Sequence, residues 1–194
     1  MNLPARVTNI LTKPAAEWSV IAAEPADVTS IFVGYVLILA AIPAVCLFIG
    51  ISLISAPIIG AFGMGAGLTG AIVGYVSGVV GVFIAAFVIQ QLASTFGSSG
   101  DLVQALKMVA YSYTPVWIAG VLYLVVLLAP LAILAALYAV YLFYVGLPKV
   151  MKTPADKVVP YMIVSAVVVI VVHFVLQMIV TALAFGGMGY GRMF

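Results

Sequence analysis

Long apolar runs separated by short polar or glycine-rich breaks dominate the chain, and their lengths predict the elements. The runs 29–54, 68–94 and 154–185 each have the length and continuity of one membrane helix. The run 116–147 does not. At 1.5 Å per residue a single helix of that length would reach about 48 Å, against a hydrocarbon core of about 30 Å. It therefore predicts a tight hairpin of two helices, 112–128 and 131–147, broken at Ala129-Pro130. The result is an all-α polytopic transmembrane bundle of five helices over 29–194, preceded by a polar segment, 1–28, punctuated by Pro4, Pro14 and Pro25. Within that segment, Ala15 to Ala23 predicts either an interfacial helix whose Trp18 meets the headgroups or a tail ordered by contact alone. The stretch 102–110, with Asp101, Gln104 and Lys107 three apart, predicts a short amphipathic helix along the interface. Tyr111, Tyr113 and Trp117 are expected at headgroup level beside it, where Thr114-Pro115 starts the next helix.

Charge then orients the elements. Lys149, Lys152, Asp156 and Lys157 crowd into one segment between apolar runs, and lysines are costly to translocate. With five spans, Arg6, Lys13, Lys107, Lys149, Lys152 and Lys157 share one side and Arg192 alone takes the other. That arrangement places the N-terminus in the cytoplasm and the C-terminus outside. Thr153-Pro154-Ala155-Asp156 predicts the start of the last helix, with a hydroxyl cap, a first-turn proline and a carboxylate near the positive dipole end. The uncharged, glycine-rich stretch 55–68 suits the outer side. Residues 1–28 lack an uninterrupted apolar core and are not expected to act as a cleavable signal.

A 194-residue chain that is 66% hydrophobic and 6% charged lacks the polar surface of a soluble globule. Its net charge of +2 forms no basic patch for nucleic acid. Chemistry has few carriers. His173 lies deep in the last helix, with Gln177 one turn on and Ser165 and Thr181 at multiples of four residues. An ionisable residue at membrane depth marks a relay or transport path by default, and Gln90, Gln91 and Ser94 could widen it at the end of the second helix. A neutral imidazole bonded to a neighbouring helix is the structural alternative, and there is no intramembrane carboxylate to partner a relay. Gly97-Ser98-Ser99-Gly100 has the Gly-x-Ser-Gly pattern of an intramembrane serine protease, yet Ser99 and His173 should lie about 25 to 30 Å apart along the helix rise. Hydrogen-bond reach is about 3 Å, so that distance argues against a dyad; Ser99 or Asp101 reads instead as a helix cap, and no catalytic residue is expected. One histidine and the lone Cys46 make no metal site, and no phosphate-binding glycine loop is present, so no cofactor is expected. Gly70, Gly74 and Gly78, four residues apart, predict a smooth face for close helix approach, within the chain or in a homo-oligomer.

Three short stretches also resemble a known family. Ile10-Leu11-Thr12-Lys13-Pro14-Ala15-Ala16-Glu17-Trp18, Tyr111-Ser112-Tyr113-Thr114-Pro115, and Gly146-Leu147-Pro148 leading into Met151-Lys152 and Pro160-Tyr161 are similar to the bacterial branch of the Yip1-domain family. The resemblance implies a five-helix bundle with a cytoplasmic N-terminus, with Trp18, Tyr111, Tyr113, Pro115, Pro148 and Pro160 as the motif residues. Eukaryotic relatives associate with Rab GTPases and with one another. This chain has a short polar N-terminus and lacks their Asp-Leu-Tyr-Gly-Pro motif, two departures that put a GTPase partnership in doubt. Two functions follow as expectations. One is a non-enzymatic protein of the bacterial inner membrane, organising lipids or docking a protein partner through a cytoplasmic face that includes Lys107, Lys149, Lys152 and Lys157. The other is a small transporter for an ion, a proton or a lipid headgroup along the histidine path.

Overall fold

A computed structural model describes residues 2–54, 62–98 and 100–185. Those residues are all helical where they are regular, with no strand among them. Four helices are long and apolar enough to cross a membrane, at Val28–Ile54, Gly67–Phe96, Leu127–Val150 and Val158–Leu176. Their outward faces carry large apolar side chains such as Leu127, Ile133, Leu137 and Phe174, as a surface immersed in hydrocarbon must.

The polar N-terminus forms a helical hairpin, α1 (Leu3–Thr12) and α2 (Pro14–Ala23), each opened by a proline in its first turn. Asn2 caps α1 through its side chain. The first membrane helix, α3 (Val28–Ile54), starts at an Asp27–Ser30 capping box and passes through Pro43, with π-helical turns at Phe32–Val36 and Gly50–Ile54. Helix α4 (Phe62–Ala93) begins six residues earlier than the apolar run suggests. Within it Gly67 lets α4 approach α3 closely, since a Cβ there would lie 2.1 Å from Ser52 Oγ. The glycine-rich stretch 55–68, expected as an outer loop, is helical from Phe62 onward, while its first part, 55–61, and the glycine-rich tail, 186–194, lie outside the described residues.

Asp101 caps α5 (Leu102–Ser112) by accepting from the Gln104 amide at 2.9 Å. Amphipathic as expected, α5 is nonetheless enclosed by protein: every residue from Ala105 to Ser112 is buried, packed on the helices Phe62–Ala93 and Ala132–Val150, with Lys107 and Tyr111 touching the α1–α2 hairpin. The expected third membrane helix over 112–128 is not a continuous helix either. It is α6 (Thr114–Ala119) followed by 3-10 segments Gly120–Leu124 and Val126–Leu131, with Val125 extended between them. The chain therefore breaks at Val125 and not at Ala129-Pro130. A proline costs little in a 3-10 turn just ahead of a helix, where its missing N–H has no partner to lose. This irregular segment tracks α3 inward, with Thr114 and Trp117 beside Tyr35, Gly120 against Pro43, and the Tyr123 and Leu124 carbonyls against Gly50. From Tyr35 to Gly50 that is about 22 Å of depth at helical rise.

Helix α7 (Ala132–Val150) returns to the polar end, and α8 (Val158–Phe185) leaves it again. Thr153 and Pro154 were expected to start α8, but Ala155 to Lys157 form a turn and the helix begins at Val158. The Thr153 hydroxyl donates instead to the Leu147 carbonyl at 3.2 Å and pairs with Ser98 Oγ at 2.8 Å. Its one proton being spent, it accepts from Ser98, and this ties the α4–α5 loop to the α7–α8 loop.

Candidate functional site

At the polar end, three segments distant in sequence meet. Arg6 of α1 donates to Glu17 of α2 at 2.6 Å and is paired also with Glu24, while its guanidinium lies 5.6 Å from the centre of the Tyr111 ring. Arg6 and Glu17 are both buried, so each neutralises a charge that would otherwise be costly to bury. Lys107 of α5 is only 2% exposed and donates to the carbonyls of Ile21 at 2.9 Å and Glu24 at 2.5 Å. These are the last turn and the C-cap of α2, where the helix dipole favours a cation. Burial pushes the Lys107 ammonium below its ordinary range, and Glu24 partly offsets that. Lys149 of α7 donates to the Ala15 carbonyl at 2.6 Å and to Ser19 Oγ at 2.8 Å, and Tyr138 donates to the Leu11 carbonyl at 2.7 Å.

Of the lysines expected to form a free face, two are thus spent holding the hairpin down. Lys152 and Lys157 remain exposed, Lys157 beside Asp156 at 3.9 Å. Lys152 has a left-handed backbone (φ 53°) at the sharp turn after α7.

Beneath the hairpin lies an aromatic cluster. Trp18 is fully buried, edge-on to Tyr111 at 6.3 Å, and Gly146 leaves room for it, since a Cβ there would lie 2.8 Å from Trp18 Cε2. Tyr35 stacks obliquely on Tyr111 at 4.6 Å and meets Trp117 at 6.2 Å. The Thr114 hydroxyl donates back to the Tyr111 carbonyl at 2.7 Å, so Tyr35 donates to Thr114 Oγ1 across 2.6 Å. Trp18, Tyr111 and Trp117, expected at headgroup level, are packed inside the protein and do not face lipid. They form an interior joint between the hairpin, α3 and α5, and Tyr113 alone of the expected belt is substantially exposed. Burial drives the Tyr111 hydroxyl up to about 12, with Arg6 opposing the shift.

Below the cluster the bundle is hollow. An upper chamber of about 380 Å³ lies among α4, α5, α7 and α8, walled by residues that include Ile89, Ser112, Ala139, Phe143 and Ser165. A slot of about 60 Å³ along Ser77 to Ala85 adjoins it, followed by a deeper chamber of about 550 Å³ against α3 and the 3-10 segment. Tyr113 and Val169 border all three. The upper chamber is almost wholly apolar and partly open to the outside of the bundle. Ser112 and Ser165 are each 2% exposed, and neither hydroxyl has a hydrogen-bond partner. An apolar space open toward hydrocarbon gains dispersion contacts when an apolar chain fills it.

Within the chain, the glycine face is not a site of close helix approach. Gly70, Gly74 and Gly78 line the deeper chamber, where a Cβ at Gly74 or Gly78 would meet nothing within 4 Å and one at Gly70 only the tip of Leu47, at 3.6 Å. Close backbone approach occurs instead at Gly120, where a Cβ would lie 2.5 Å from Pro43 Cβ, and at Gly50, 2.0 Å from the Tyr123 carbonyl. Spacing alone does not tell a face that touches a backbone from one that borders a hollow.

Of the expected polar path, Ser165 borders the upper chamber, Gln90 is half-buried, and Gln91 and Ser94 are exposed near the polar end. The side chains of His173, Gln177 and Thr181 lie outside the described residues, as does Ser99. Pro115 is buried at the start of α6, while Pro148 and Pro160 are exposed on α7 and α8. Sequence reasoning missed Ser112, Arg6 and Glu17. The signal for Ser112 and Ser165 was small residues near other small residues, Ala136, Ala139 and Ala166, a pattern of space more than of contact. Among the described residues, no cluster of His, Cys, Asp or Glu is placed to hold a metal.

Apolar spans, lipid-like outer faces and a polar cluster gathered at one end define an integral membrane protein of the helical-bundle class. The Yip1 domain model matches residues 8–177, and the chain belongs to that family. No curated protein and no solved structure matches it.

Proposed function

We propose that this protein organises its membrane without catalysis, presenting one rigid polar face to the cytoplasm of a bacterium from the inner membrane. The observation that carries this reading is the fastening of the N-terminal hairpin onto the bundle by Lys107, Tyr138 and Lys149. A segment joined at that many points behaves as part of the bundle. The exposed lysines at the same end, Lys13, Lys152 and Lys157, favour the cytoplasmic side by the positive-inside bias and offer a surface for anionic headgroups or a protein partner. Reporters placed before Asn2 and in the 152–157 loop should both read cytoplasmic, and one after Phe194 should read outside. A cytoplasmic C-terminus would overturn the topology.

The competing function is passage of an ion or proton past His173. Liposomes containing purified protein should conduct no faster than protein-free vesicles, and His173→Leu should change nothing. Flux that vanishes in His173→Leu would replace the scaffold reading with transport.

A further inference from the structure

We propose that the upper chamber and the slot beneath it hold one acyl chain of a membrane phospholipid as a resident guest. This goes beyond the scaffold function and does not depend on it. Four observations select that occupant. The space is apolar and partly open to the outside of a bundle whose surroundings are hydrocarbon. Its length fits, since along α4 from Ile89 to Ser77 it runs about 18 Å at helical rise, close to the roughly 15 Å of one leaflet. Its volume of about 380 Å³ lies within the range of small-molecule sites, which pair mostly apolar walls with a few placed polar groups.

The polar groups choose between lipid sources. Ser112 and Ser165 are buried, border the chamber, and have no partner, so each offers a hydroxyl proton to a guest. Both lie toward the polar end, Ser165 about 10 Å below the start of α8 at helical rise. An ester carbonyl is a neutral acceptor suited to them. No lining residue carries a charge, so the carboxylate of a free fatty acid would be buried without a counterion.

The test uses full-length protein in vesicles of phosphatidylethanolamine and phosphatidylglycerol containing a trace of phosphatidylcholine with a diazirine midway along one acyl chain. After illumination, labelled peptides are mapped by mass spectrometry. Labels are expected on the interior walls, Phe143, Met162 and Val169, in addition to the outward residues Leu127 and Ile133. Ala136→Phe, which fills the chamber from an exposed position on α7, should reduce interior labelling at least fivefold and leave Leu127 and Ile133 unchanged. Ser165→Ala, which keeps the space and removes a donor, should reduce phospholipid retained after detergent extraction, read by native mass spectrometry, at least threefold. Unlabelled interior walls in the wild type would overturn the proposal whatever the variants do. So would undiminished interior labelling in folded Ala136→Phe, or a diazirine fatty acid that labels those walls when the phospholipid does not.

Discussion

Arg6 is the residue on which the polar end turns. It neutralises Glu17, reaches Glu24 and covers the Tyr111 ring, all where water is largely excluded. Arg6→Met should lower stability by about 3 kcal/mol or more, because the loss strands a buried carboxylate. Thermal unfolding in detergent reads this, and Arg6→Met/Glu17→Leu should recover much of the loss, since both charges are then gone. Tyr111 gives the pH dependence. Its folded-state hydroxyl titrates near 12 against an ordinary 10, so the stability linked to it is fully present below pH 10 and is lost as pH rises through 10 to 12. The melting temperature should fall across that window, and less steeply in Tyr111→Phe. Neither role was legible in the sequence. Arg6 reads there as one polar residue in a polar tail, and a tail acquires meaning only from what covers it.

At the scale of elements, glycine substitutions separate contact from space. Gly120→Ala drives a Cβ into the Pro43 backbone and should cost about 1 to 3 kcal/mol. Gly74→Ala meets nothing and should be neutral or stabilising by up to about 1 kcal/mol through helix propensity. Comparing the two melting temperatures with the wild type checks the pair, and a large loss in Gly74→Ala would mean that α3 and α4 are closer than described. The long spans were readable because apolar continuity over twenty residues has few other meanings. The third run was harder. Its excess length demanded a break, but the place of the break depends on Gly120 meeting Pro43 and Gly50 meeting the Tyr123 carbonyl, contacts made across the fold. The amphipathic pattern of α5 was equally plain, yet a polar stripe turned toward water and one turned toward a charged hairpin look alike in one dimension.

For the whole molecule, charge distribution foretold that the N-terminus, the segment after α4 and the loop after α7 would share an end, and the bonds from Lys107, Lys149 and Ser98 join them there. The hollow below was not foretold, because absence of matter leaves no periodic signal. A bundle closed at one end by a bonded lid and open within should unfold from its far end first. Hydrogen exchange should therefore be slowest at Ala105 to Ser112 and faster in the 3-10 segments Gly120–Leu124 and Val126–Leu131. Uniform protection along the irregular segment would contradict this.

The lid also sets a schedule for biosynthesis. The amino-terminal hairpin emerges first, but the ammonium groups that receive it belong to Lys107 and Lys149, and the glycine that admits Trp18 is Gly146. About 125 residues separate Glu24 from Lys149, which at roughly 5–20 residues per second is about 6 to 25 s of synthesis. Until then Trp18 has no seat, although Arg6 can already pair with Glu17 and Glu24, and a ribosome stalled before Gly146 holds a nascent chain whose N-terminal hairpin is still open to proteases and chaperones. Completion of the seventh helix is thus the moment at which the start of the chain becomes folded.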